Sequence, residues 1–193
     1  EIILVIHDWG SALGFDYAAD HPANVSGICY MEAVVKKMSW SQWPDSATDI
    51  FKTFRSPAGE EVVLEKNVFV EKVLPASIMR KLTEEEMSAY LKPFSVPGED
   101  RRPTLTWPRQ IPLENEPKDV CAIVDRYAAA MAESDVPKLF IDADPGMILN
   151  GDLAKFAKTW KNQTEVRVKG LHFIQEDSPN EIASALKNWL QNI

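Results

Sequence analysis

The chain has 193 residues, 45% apolar and 26% charged, which is enough for one ordinary domain or a domain with a subdomain and too apolar for a disordered chain. Its 21 Lys and Arg against 29 Asp and Glu leave a net charge of −8, which argues against nucleic acid or an anionic membrane as the main partner. No apolar run approaches the ~20 residues needed to cross a bilayer, and Cys29 and Cys121, each in an apolar segment, read as reduced, buried thiols in a cytoplasmic setting.

Residues 1–6, Glu-Ile-Ile-Leu-Val-Ile, form a short β-branched run without a positive n-region or cleavage site, so they read as a strand buried on both faces and not as a signal peptide. A strand of this kind needs neighbours, which leads us to expect that the chain is the C-terminal part of a longer protein. His7-Asp8-Trp9-Gly10 predicts a sharp turn, Ser11 to Asp20 a helix ended by His21-Pro22, and Val25 to Met31 a second buried strand. Together these make a βαβ unit with parallel strands. Residues 36–135 lack a clear buried strand and carry helical periodicity with many aromatics, so they read as an inserted helical subdomain. Within it Thr83 to Glu86 is a capping box opening a helix to about Lys92. Pro97, Pro103, Pro108, Pro112 and Pro117 predict a largely irregular stretch over 97–117, followed by a helix over 118–134. The alternation then resumes with a strand at Lys138–Asp142, a turn at Asp144-Pro145-Gly146 and a helix over Leu153–Trp160. A strand at Glu165–Lys169 and a final helix capped by Ser178 complete the chain. The fold class is therefore α/β, with core pieces at 1–35 and 136–193 around a helical insert at 36–135.

A polar residue in a tight strand-to-helix turn has the geometry of a nucleophile elbow, and Asp8 holds that place. A carboxylate there can attack carbon and form an ester, or it can simply cap the following helix. His172, in the loop after the last strand, lies where a doubly wound sheet places catalytic groups and could take a proton from water. Glu32 ends the second strand and could orient that imidazole; Asp142 and Asp144, after the third strand, compete for the same role. Trp9, beside Asp8, offers an indole N–H suited to a soft anion.

The segments around His7-Asp8-Trp9-Gly10-Ser11, Tyr30-Met31-Glu32-Ala33, Arg101 to Pro112 and Gly170 to Asp177 resemble the haloalkane dehalogenases of the alpha/beta-hydrolase superfamily, over essentially the whole chain. The match is to the subgroup whose catalytic acid follows the strand after the elbow. The resemblance implies an alpha/beta-hydrolase fold whose upstream strands are absent from this chain, with the insert as its cap. It implies Asp8 as nucleophile, His172 as base, Glu32 as the orienting acid and Trp9 as one of two halide donors. The second donor, an upstream Asn in this subgroup, has no counterpart here. Val34, Phe69, Met147, Ile148 and Phe173 become pocket candidates, and Ser77 a tunnel candidate. The implied partners are a small halogenated hydrocarbon, water and halide, with no metal or organic cofactor, together with the upstream segment in the same or a second chain. Three other readings share parts of the pattern. A coelenterazine-type luciferase has the same Asp, Trp, Glu and His. An epoxide hydrolase needs two acidic hydroxyls, for which only Tyr90 and Tyr127 are available in the insert. A non-catalytic or split binding module would use the pocket alone.

Overall fold

A computed structural model describes residues 2–193; Glu1, the first residue of the expected first strand, lies outside the described residues. In chain order it begins with β1 (Ile2–His7), α1 (Asp8–Asp20) and β2 (Val25–Ala33). The connecting segment holds α2 (Asp45–Phe54), two π-helical turns (Glu60–Glu65 and Phe69–Val73), α3 (Leu74–Ala76), α4 (Glu84–Leu91), α5 (Arg102–Gln110) and α6 (Lys118–Glu133). The chain closes with β3 (Lys138–Pro145), α7 (Gly151–Ala157), β4 (Gln163–Gly170), α8 (Ile174–Asp177) and α9 (Pro179–Leu190). The four strands lie in the order β1-β2-β3-β4, and every neighbouring pair is parallel. Parallel neighbours require crossovers, and helices supply all three.

Side chains alternate across β2. Ile28 and Tyr30 belong to the core on one face of the sheet, Cys29 and Met31 to the core on the other. The first core is organised around Phe15 of α1, fully buried, with ring centroids 5.5 Å from Tyr30, 5.7 Å from Tyr127 and 5.2 Å from Trp160. The second is closed by α9 through Ile182, Ala185 and Trp189. Trp189 packs so closely on β2 that a Cβ on Gly27 would lie 2.7 Å from its ring. Both faces of the central strands are thus covered, which is why β2 and the first half of β3 read as continuous apolar runs. The outer edge of β1 is different: Ile2, Ile3 and Val5 are exposed.

Several expectations need correction. The sharp turn over residues 7–10 is tighter than expected, because α1 starts at Asp8 directly after β1 and not near Ser11. The reversal is made by a left-handed Asp8, with φ of 46°. Residues 97–117 are not largely irregular, since α5 runs through them. Pro103 sits in its first turn, where the missing N–H has no intrahelical partner to lose, and only Pro108 lies inside the helix. Ser178 does not cap α9; its hydroxyl donates instead to the Lys169 carbonyl at 2.7 Å. The capping box does form, Thr83 Oγ1 accepting from Glu86 N and Glu86 accepting from Thr83 N. Cys29 and Cys121 are both free and buried. Among the described residues no helix is long and apolar enough to cross a membrane.

Removing the Phe15 ring should lower the unfolding free energy by about 3–5 kcal/mol, through lost burial and the cavity left among three aromatic neighbours. Urea unfolding of Phe15→Ala, beside the exposed Tyr17→Ala as a change of about 0.5 kcal/mol or less, checks this.

Candidate active site

The C-terminal ends of four parallel strands converge on one edge of the sheet, and each delivers part of one polar cluster. β1 ends at His7 and presents Asp8. A non-glycine residue with φ of 46° is strained by about 1–3 kcal/mol, so the surroundings must hold it. Ser11, fully buried, does so from the first turn of α1: its hydroxyl donates to the Asp8 carbonyl and accepts from Val34 N at 2.9 Å. The elbow is thereby tied to the end of β2. His7 holds the cap position of α1 and Asp8 is its first residue, so the Asp8 carboxylate faces the cluster from the helix start.

β2 delivers Glu32, also left-handed (φ 39°) and fully buried. Its carboxylate accepts backbone N–H groups from the loop after β3: Met147 at 3.1 Å, Ile148 at 2.9 Å and Leu149 at 3.4 Å. Gly146 opens that loop with φ of 67°, and a Cβ there would lie 2.9 Å from Glu32 Oε1. The loop after β4 brings His172, with Nδ1 3.2 Å from Glu32 Oε2 and Nε2 3.6 Å from Asp8 Oδ1. An ionised carboxylate only accepts, so Nδ1 carries the proton on the Glu32 side, and Nε2 is the atom that faces Asp8. Asp142 and Asp144 are turned away: Asp142 pairs with Lys158 at 3.0 Å and Asp144 with Arg167 at 3.2 Å. The choice among three acids, open in the sequence, goes to Glu32 on position.

The charges decide one another. Burial alone would lower the pKa of His172, but the Asp8 carboxylate, and Glu32 behind it, outweigh that and push it up to about 10. For Asp8 burial works to raise the pKa; the His172 charge and hydrogen bond, His7 and the Trp9 backbone N–H outweigh it and hold the carboxyl below its ordinary range. The resting pair is therefore a carboxylate beside an imidazolium.

The cluster forms the polar end of a narrow, mainly apolar cavity beneath the helical segment. Of the residues singled out in the sequence, Asp8, Trp9, Phe69, Ser77, Met147, Ile148, His172 and Phe173 line it. Val34 does not: it is buried in the core behind the elbow, its carbonyl accepting the Tyr127 hydroxyl at 2.6 Å. Trp43, Phe51, Trp107 and Ile111 also line the cavity and were not foreseen as site residues. Trp107 stands 4.9 Å from Trp9 between ring centroids, and its place inside the motif-bearing stretch 101–112 was the available signal. Among the described residues no group of three or more His, Cys, Asp and Glu is placed to hold a metal ion.

The sequence model of a family described as alpha/beta hydrolase fold matches residues 1–179. The chain is 54% identical over 192 residues to a haloalkane dehalogenase of Sphingobium indicum, covering 100% of this chain and 65% of that protein. It is also similar, at 47% identity over 196 residues, to a coelenterazine h 2-monooxygenase of Renilla reniformis, covering 100% and 62%. The crystal structure of a haloalkane dehalogenase from Bradyrhizobium elkani matches with a TM-score of 0.94 at 41% identity, over 98% of this chain and 67% of that one. The chain thus spans 65% and 62% of the length of these two curated relatives.

The raised His172 pKa links stability to pH. Its protonated form contributes fully below about 6.5, the ordinary value, and the contribution is lost as pH rises toward about 10. The depressed Asp8 carboxyl acts at the other end, its share being lost as pH falls below 3.8. The difference in unfolding free energy between wild type and His172→Phe should therefore decline between pH 6.5 and 10, by up to about 1.4 kcal/mol per unit. A difference that stays flat across that window would contradict the pairing.

Proposed function

Because the chain belongs to the alpha/beta hydrolase fold family, among the haloalkane dehalogenases, we propose that it carries the catalytic centre for hydrolysis of small halogenated alkanes to alcohol and halide. The observation that carries this reading is a carboxylate, not a hydroxyl, at the strand-to-helix elbow, facing an apolar cavity with His172 Nε2 3.6 Å away. Asp8 attacks the halogen-bearing carbon in line; the carbon–halogen bond breaks with its electron pair, and an alkyl ester forms on Asp8. The indole N–H of Trp9 stabilises the departing halide. With the Asp8 charge gone, the His172 imidazolium gives its Nε2 proton to solvent, and the neutral Nε2 then takes a proton from water, whose oxygen attacks the ester carbonyl. Backbone N–H groups at the elbow, that of Trp9 among them, hold the oxyanion. The intermediate expels the alkoxide, which recovers the proton from His172; the remaining carboxyl proton passes to His172 Nε2, and the resting carboxylate–imidazolium pair is restored. Glu32 holds the imidazole with Nδ1–H toward itself and balances the imidazolium, a role supported by its full burial and four donors.

Residues 36–135 act in this scheme as a cap on the core pieces 1–35 and 136–193. Phe69, Met147, Ile148 and Phe173 shape the substrate pocket, and Ser77 stands at its access tunnel. The exposed apolar edge of β1, with the greater length of the relatives, supports a further segment that pairs there, in the same or a second chain. A cytoplasmic setting accords with the two free thiols. The epoxide hydrolase alternative loses support from its two tyrosines. Tyr127 spends its hydroxyl on the Val34 carbonyl in the core and Tyr90 bonds Glu176, and neither lines the cavity.

The test uses the chain together with the segment that covers β1, and a short 1-bromoalkane. Wild type should release bromide over many turnovers. His172→Phe should release about one equivalent and keep an alkyl mass on Asp8, since ester formation needs no base and its hydrolysis does. Asp8→Asn should do neither. Light from coelenterazine without bromide release would favour the monooxygenase chemistry of the Renilla reniformis relative instead.

A further inference from the structure

We propose that His7 is a positioning residue for the base: its imidazole N–H grips the backbone of His172 and sets where that side chain stands against Asp8. The proposal rests on the reading of Asp8 and His172 given above. His7 is the last residue of β1 and precedes Asp8 directly, yet it is not among the residues that line the cavity and has no part in the reaction as written. Its Nε2 lies 2.7 Å from the backbone carbonyl oxygen of His172. A carbonyl oxygen only accepts, so Nε2 must carry the proton and donate it. The tautomer of His7 is thereby assigned from the partner, and a hydrogen bond joins residues 165 positions apart.

The surroundings keep that donor in place. The His7 ring stands 4.8 Å from the His172 ring and 5.8 Å from that of Phe173, between centroids. Burial first, and the charge of His172 next, lower the pKa of His7, so it stays neutral beside an imidazolium. The loop that carries His172 is held at other points as well. Asp177 Oδ2 accepts Leu171 N at 2.9 Å, and Phe173 N donates to the Ser77 carbonyl at 3.1 Å. The His7 bond differs from these in what it connects. It runs from the residue covalently joined to the nucleophile to the peptide of the base itself. The distance between Asp8 and His172 Nε2 is thus fixed through one peptide link and one hydrogen bond, whereas Glu32 fixes the ring's tilt through Nδ1.

Removing the donor leaves the His172 carbonyl without this partner and frees the loop to shift, and a displacement near 1 Å at a reacting group can cost about a hundredfold in rate. The two steps of the reaction feel this differently. Ester formation uses Asp8 and the halide donor. Ester hydrolysis needs His172 Nε2 to take a proton from water. Loss of the His7 donor should therefore slow the second step and spare the first.

Two variants separate the hydrogen bond from the ring. His7→Phe keeps an aromatic ring against His172 and Phe173 and removes the donor; His7→Gln removes the ring and offers an amide N–H at similar reach. Both are compared with wild type, in the complete protein, by rapid quench and mass spectrometry of Asp8 after mixing with a short 1-bromoalkane. In His7→Phe the ester should form within about twofold of the wild-type rate but break down at least about tenfold more slowly, so that it accumulates. In His7→Gln breakdown should recover to within about threefold of wild type. Ester formation at the wild-type rate also certifies that the variant is folded. Wild-type breakdown in His7→Phe, equal slowing of both steps, or a glutamine variant as slow as the phenylalanine one would each overturn the proposal. If no ester forms on Asp8 even in wild type, the reading of the reaction itself is overturned and the role of His7 with it.

Discussion

The constraint on which the rest depends is the buried charge of Glu32. A carboxylate with no exposure must have its lone pairs satisfied, and here four N–H groups do so: three from the backbone after β3 and one from the His172 ring. These donors come from the loops after β3 and β4. The carboxylate therefore ties two loops to the end of β2 at once, at the edge of the sheet where the strand ends already converge. The left-handed backbone of Glu32 and the glycine at position 146 follow from the same need, since a Cβ at 146 would press on the carboxylate.

Asp8 is the counterweight. It sits at the polar end of an apolar cavity, where burial works to raise its pKa, and the neighbouring His172 charge and hydrogen bond outweigh that. In the proposed reaction this pairing has a temporal consequence. Burial opposes the charge on His172, and Asp8 is the strongest influence that supports it. Once Asp8 is esterified its charge is gone, so the His172 pKa falls and the ring becomes a base only when there is an ester to hydrolyse. The same electrostatics that stabilise the resting site thus order the two steps.

Much of this arrangement was legible in the sequence because it rests on local pattern. The β-branched run before Asp8, the apolar spacing of α1 and the buried run of β2 have no competing reading, and the capping box at Thr83 is a purely local pair. Asp8 and His172 stood out because each follows a strand. The choice of Glu32 over Asp142 and Asp144 was not legible from the residues, since it depends on which acid the sheet turns inward. In the structure Asp142 pairs with Lys158 and Asp144 with Arg167, whereas Glu32 Oε2 lies 3.2 Å from His172 Nδ1. Proline counting failed over 97–117 because Pro103 occupies a position where a helix loses nothing by it. Val34, offered by the resemblance as a pocket residue, lies instead in the core behind the elbow, where its carbonyl accepts the Tyr127 hydroxyl. The insert is rich in aromatics, but that Trp43, just before α2, and Trp107 of α5 face the cavity is set by how the segments of the insert pack together, which no local pattern encodes.

The central claim is that the Asp8 carboxylate, and not water, first bonds to the substrate carbon. A single turnover with the complete protein in excess over a short 1-bromoalkane, in water labelled with heavy oxygen, tests it most directly. The account predicts unlabelled alcohol, its oxygen drawn from Asp8, with the label found in the Asp8 carboxylate after digestion. Label in the alcohol of that first turnover, with Asp8 unlabelled, would mean that water attacks the substrate directly and would contradict the account.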